Sequence, residues 1–237
     1  VRKERFSDGA YYHIFNRGVE KRNIFTMRDD YKRFLFDLTV CNDERPLDNA
    51  ALFHRGILKP AAFVKRVQTR KPYVSILCFC LMPNHFHLLL KQIGDDGVPR
   101  FMQKLSVAYS MYFNTKHERV GPLFQGRYKA VHIKDEAYLT HLSRYIHINP
   151  LDLEYPNWKK KGIKSPLKAQ QFLQSYSWSS YRDYLGYNAY PDILDRDLLP
   201  ELLGKPKELK NFTQEWVELR GLQEVFPFAL FNESRSR

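Results

Sequence analysis

The sequence predicts an α+β fold of the ferredoxin-like (RRM-like) kind, an antiparallel sheet with helices packed on it, followed by a helical C-terminal appendage. Three observations predict it. Two apolar runs, Tyr73 to Leu81 and His85 to Gln92, flank Met82-Pro83-Asn84, a separation suited to a β-hairpin. Around that hairpin, segments of strand and helix character follow in the order β, α, β-β, α, β, α, so strands outnumber crossovers. After Pro150 the strand character ends and the chain becomes aromatic, then Leu-rich and charged, as far as Phe226.

The first strand is Ala10 to Asn16, rich in aromatics and closed by the turn signal Arg17-Gly18. Asp29 to Leu38 carries Tyr31, Phe34, Leu35 and Leu38 at helical spacing, with acidic residues in its first turn. Residues 43–72, interrupted by Pro46, Pro60 and Pro72, read as a loop insertion carrying a short helix. The hairpin follows, and then Pro99 to His117, which aligns Phe101, Leu105, Ala108, Tyr109, Tyr112 and Phe113 on one helical stripe. Gly121-Pro122 breaks that helix, and Leu123 to Ile133 reads as extended. A third helix opens at Asp135 and ends at Asn149-Pro150. The division expected is a domain over 1–150 and a mostly helical extension over 151–237, its Trp178, Tyr181 and Leu185 suited to packing on the core, with Asn232 to Arg237 disordered.

The 237 residues, 43% hydrophobic and 15% aromatic, suffice for a sizeable core. No apolar run is long enough for a membrane span, and Val1 to Arg5 lacks the apolar stretch of a secretory signal, so the expected location is the cytoplasm. Cys41, Cys78 and Cys80 cannot all pair; a lone C-x-C is a weak zinc signal, and buried, reduced thiols are expected. Lys and Arg number 38 against 26 acidic residues, a net charge of +12 that suggests a polyanionic partner. From Val98 to Lys134 the cations Lys104, Lys116, Arg127 and Lys129 interleave with Tyr109, Tyr112, Phe113, Phe124 and Tyr128. Charges that hold phosphates, mixed with rings that stack on bases, are what a single-stranded nucleic acid groove needs. A solvated basic face over core aromatics has the same composition.

His85-Phe86-His87 is the sharpest local feature. The period of a strand sends both imidazoles to one face, where they can share a metal, and paired histidines beside a core are costly without partners. At the end of the third helix, Tyr145 and Asn149 lie four apart on one face, as do His141 and Tyr145, so a nucleophile and a ligand can project together. Core packing is the competing reading for each of these residues.

Three blocks occur together in order: Met82 to Leu90 (MPNHFHLLL), Gly121 to Lys129 (GPLFQGRYK) and Tyr145 to Pro150 (YIHINP). With Tyr12-His13-Ile14-Phe15-Asn16-Arg17-Gly18 ahead of them, they cover most of Tyr11 to Pro150. In this combination the chain resembles single-tyrosine HUH transposases of the IS200-like superfamily, most of all the REP-associated branch. The resemblance implies Mg²⁺ or Mn²⁺ held by His85 and His87, and Tyr145 as a nucleophile that cleaves and rejoins single-stranded or hairpin DNA through a 5′-phosphotyrosine. Related transposases carry Gln four residues after the tyrosine. Here Asn149 stands there, one methylene shorter, as the third ligand directly or through water, with His141 as the alternative. Arg17, Lys104, Lys116, Arg127 and Lys129 are the candidate DNA contacts, and Arg144, Lys129 and Arg127 the candidate cations for the phenolate. Related enzymes also pair tyrosine and histidines across a homodimer, and the chain length between His87 and Tyr145 permits either arrangement. The rival from another class is a non-catalytic single-stranded nucleic-acid-binding module whose histidines only pack. A His-x-His hydrolase ranks lower, because Leu89 stands where a third alternating histidine would be.

Overall fold

The computed structural model describes residues 5–46, 65 and 67–198. β1 (Tyr11–Arg17) leads to α1 (Arg28–Val40), β2 (Val74–Met82), β3 (His85–Gln92), α2 (Gly97–Lys116), β4 (Lys129–Ile133) and α3 (Glu136–Ile148). All three strand pairs are antiparallel and the sheet order is β2-β3-β1-β4. This is the ferredoxin-like arrangement expected from the sequence.

Alternation along the strands gives the sheet two covered faces. Tyr12, Ile14, Phe86, Leu88 and Leu90 pack with α1 and α2 in one core. On the other side Cys78, Cys80 and Leu89 pack with Leu139, Leu142 and Ile146 of α3. A register shift between Ile76 and Cys78 puts Leu77 into this second core as well. All three cysteines are buried and form no disulfide, and burial pushes the Cys78 and Cys80 thiols up, away from the reactive thiolate.

Local chemistry accounts for the element ends. Only Pro83 and Asn84 separate β2 from β3, and the Pro83 carbonyl accepts from the Ile24 and Phe25 amides at 2.8 and 3.0 Å. Asp135 caps α3 by accepting from the Tyr138 amide. The last strand is shorter than the extended run expected from Leu123. Gly126, at φ 77°, turns the chain, and only from Lys129 does it pair with β1.

Beyond Pro150 come α4 (Leu151–Glu154), α5 (Trp158–Lys161), α6 (Pro166–Ser175) and α7 (Tyr181–Tyr184). This extension lies directly on the sheet. The Leu81 amide donates to the Trp178 carbonyl at 2.8 Å, Ser180 to Phe79 at 3.1 Å and Asp195 to Ile76 at 2.9 Å, which covers the otherwise open edge of β2. The Trp178 indole stacks on Tyr31 of α1, ring centroids 4.5 Å apart. Most of the insertion expected around 43–72, the text beyond Leu198 and the tail from Asn232 to Arg237 lie outside the described residues. No helix among the described residues is long and apolar enough to cross a membrane.

Candidate active site

The histidine pair opens β3. His85 is half-buried, His87 is 5% exposed, and their rings stand nearly perpendicular with centroids 5.0 Å apart. Residues opposite one another on neighbouring antiparallel strands share a face. Register therefore sets Arg17 of β1 beside His85 and Phe15 beside His87, and Lys129 of β4 beside Phe15. Within the same face, His87 Nδ1 lies 2.9 Å from Nε2 of the fully buried His13. His85 Nδ1 lies 2.6 Å from Asn84 Oδ1. An amide oxygen only accepts, so His85 Nδ1 is the donor in this contact, and in the neutral ring the lone pair is then on Nε2.

Helix α3 packs over β2, β3 and β4. It brings the half-buried Tyr145 ring to 6.1 Å from that of His87, edge to face. The Asn149 amide group donates to the Tyr145 carbonyl at 2.8 Å, which commits its nitrogen and leaves the lone pairs on its side-chain oxygen. His147 turns away into the second core, where Nε2 is 2.8 Å from Ser180 Oγ and the ring packs on Tyr184.

Burial, then the neighbouring His85, His13 and Lys159, hold the His87 imidazole well below its usual pKa, and burial takes His13 to about 3. Both are neutral at pH 7, the form in which imidazole binds a metal. His85, His87 and the amide oxygen of Asn149 are donors of the mixed N/O kind that a divalent ion such as Mn²⁺ accepts, so the residue types present fit one. Among the described residues no group of three His, Cys, Asp or Glu side chains forms a metal site. His141 therefore does not complete a triad with His85 and His87. It is half-buried, its pKa lowered by burial and by Arg144.

The expected DNA contacts divide. Arg17 and Lys129 belong to the face of the histidine pair. Arg17 is buried, its Nε donating to Gln125 Oε1, while the exposed Lys129 sets its ammonium 5.7 Å from the Phe15 ring. Arg127 is exposed in the loop before β4. Lys104 and Lys116 belong to α2, on the opposite side of the sheet, and have internal partners. Lys104 donates to the Asp43 and Arg45 carbonyls at 2.6 and 3.0 Å, and Lys116 to the fully buried Asp30 at 2.8 Å.

Two residues here escaped the sequence reading. His13 had a visible signal, a polar side chain alternating with Tyr11 and Phe15 in the first strand. Lys159 had none. Its ammonium lies 5.8 Å from the Tyr145 ring centroid and 3.0 Å from Asp152 Oδ2, while Asp152 Oδ1 accepts from the Trp158 indole at 2.8 Å.

Residues 51–149, a segment that contains His85, His87, Tyr145 and Asn149, match the family model described as "Transposase IS200 like". Over that segment the chain is similar to the IS200-like transposases. Among solved structures, the chain is similar in fold to a REP-associated tyrosine transposase bound to a REP hairpin. That likeness has a TM-score of 0.50 at 15% identity and covers 84% of this chain and 92% of the other. A Deinococcus radiodurans R1 protein described as a candidate transposase matches at 15% identity and TM-score 0.34, over 62% of this chain and 95% of its own. A bacterial tRNA(His) guanylyltransferase-like protein with ATP matches at 7% identity and TM-score 0.37, covering 91% and 93%. No curated protein matches the chain significantly in sequence.

Proposed function

We propose that this protein is a transposase that cuts and rejoins single-stranded DNA through a covalent 5′-phosphotyrosine on Tyr145, with Mg²⁺ or Mn²⁺ at His85, His87 and Asn149 and a folded DNA hairpin as its substrate. The observation that carries this reading is the approach of the Tyr145 ring to His87 within one chain, 6.1 Å between centroids. A tyrosine beside a pair of imidazoles on one sheet face meets the needs of nucleophilic phosphoryl transfer. The fold it shares with a REP-associated transposase, a protein solved with a REP hairpin, favours the hairpin as substrate and the REP-associated branch as its kin.

The Oη lone pair of Tyr145 forms a bond to a backbone phosphorus, and the opposite P–O3′ bond breaks with its electrons on the 3′ oxygen. The proton lost by the phenol balances the one taken up by that oxygen, so a free 3′-hydroxyl leaves. His85 and His87, through nitrogen, and Asn149, through its amide oxygen, are the residues that would hold the cation, whose contribution would be to polarise a phosphoryl oxygen. Lys129 and Arg17 flank the histidines as sites for the DNA backbone, and Lys159 adds positive charge beside the tyrosine. Because the phosphotyrosine is an ester of similar energy to the bond it replaces, a second 3′-hydroxyl reverses the step and reseals the strand.

The test is incubation with Mn²⁺ and labelled hairpins bearing single-stranded flanks. An adduct that survives denaturation, present in wild type and absent in Tyr145→Phe while binding persists, is the expected result. Tight binding with no adduct on any hairpin overturns the catalytic reading in favour of a DNA-binding module.

A further inference from the structure

His13 lies on β1, away from the sequence blocks that contain the histidine pair and the tyrosine, yet its side chain ends on His87. The contact is between ring nitrogens, His13 Nε2 to His87 Nδ1 at 2.9 Å, with both residues buried and the rings 5.1 Å apart and stacked at 18°. It is built by register. β1 and β3 run antiparallel, His13 faces Leu89 and Phe15 faces His87, so the two histidines are diagonal neighbours on one face.

Two neutral tautomer pairs satisfy such a contact. In one, His13 donates from Nε2, and His87 must carry its proton on Nε2. In the other, His87 donates from Nδ1 to a His13 that is protonated on its own Nδ1, and the His87 Nε2 lone pair is exposed. Only the second leaves His87 able to bind a metal through Nε2. It also matches His85, whose Nδ1 proton is fixed by Asn84 Oδ1. A ligating histidine is held in orientation and tautomer by the acceptor at its other nitrogen, commonly a carboxylate, a carbonyl or water.

We propose that His13 is a positioning residue for the metal site, a buried neutral imidazole that accepts from His87 Nδ1 and so holds the His87 Nε2 lone pair toward the cation. This rests on the metal reading given under Proposed function. A carboxylate in the same place would add a full negative charge to a buried pocket; His13 gives the acceptor with no net charge. Asn84 does the same for His85, so both ligands are oriented by neutral groups.

The experiment uses the full chain in two independent measurements. In the first, ¹⁵N-histidine labelling and two-bond proton–nitrogen correlations read the His87 tautomer without metal, His87→Gln supplying the assignment. Wild type is expected to carry the His87 proton on Nδ1, and His13→Leu to lose that preference. A proton on Nε2 in wild type overturns the proposal.

In the second, Mn²⁺ titration followed by electron paramagnetic resonance compares wild type with His13→Leu and His13→Gln, the latter able to set an amide oxygen near the position of Nε2. The leucine variant is expected to bind Mn²⁺ about ten- to hundredfold more weakly, and the glutamine variant close to wild type. Unchanged affinity in the leucine variant, or equal loss in both variants at unchanged melting temperature, overturns the role of His13. If wild type itself binds no Mn²⁺, the metal reading fails, and with it the purpose assigned to His13.

Discussion

Replacing Lys159 with methionine removes the positive charge beside the tyrosine and keeps most of the side chain's bulk. The ammonium is 5.8 Å from the Tyr145 ring centroid, where two unit charges interact by about 0.7 kcal/mol at the permittivity of water and about 3 kcal/mol at an effective value of about 20. The lysine side chain is 41% exposed and shares its charge with Asp152 at 3.0 Å, so solvent and the carboxylate pull the effect toward the lower bound. About 1 kcal/mol of transition-state stabilisation, about fivefold in rate, is the expected loss. The assay is single-turnover cleavage of a labelled hairpin at saturating protein and Mn²⁺, with affinity measured separately by fluorescence anisotropy on an uncleavable analogue. Lys159→Met should lower the cleavage rate with little change in Kd, and Lys159→Arg should restore it. A rate equal to wild type, or a defect confined to Kd, refutes the argument; the second result would make Lys159 a backbone contact.

Two further predictions concern stability. Asp37 is fully buried beside Arg33, and burial outweighs the guanidinium, raising its pKa from 3.8 to about 7. The folded state therefore keeps a proton that the unfolded state loses, and wild-type stability should fall as pH rises from about 4 to about 7, then level off. Asp37→Asn should flatten that slope in urea melts at several pH values, and an equal slope in the variant would remove Asp37 as its cause. Ser180→Ala strips Oγ from the Phe79 amide at 2.9 Å and from His147 Nε2 at 2.8 Å, both buried, and should cost about 1–3 kcal/mol in urea denaturation. A change below about 0.5 kcal/mol would mean that other groups satisfy them.

Tyr145 and the histidine pair were legible in the sequence for a local reason. Strand alternation determines that His85 and His87 share a side whatever lies across from them, and helical spacing does the same for Tyr145 and Asn149. Lys104 and Lys116 show the limit of that reasoning. Both stand in a basic, aromatic stretch and read as groove cations, but Lys116 is paired with Asp30, far away in sequence on α1, and Lys104 with carbonyls at Asp43 and Arg45. A lysine next to buried acceptors and a lysine over a DNA groove look alike in composition; the partner across space makes the difference.

By itself, then, the sequence determined the order of strands and helices, the hairpin that exposes two imidazoles on one side, and the helix that presents Tyr145 with Asn149. These follow from backbone periodicity, capping and turn chemistry, which act over a few residues. The tertiary structure decided which side of the sheet α3 covers, that the Tyr145 ring approaches His87, and that His13 and Lys159 stand beside them. Those contacts depend on strand pairing and on the fold-back of the chain after Pro150. Both are set by burial of apolar surface across long sequence separations, and no local pattern encodes them.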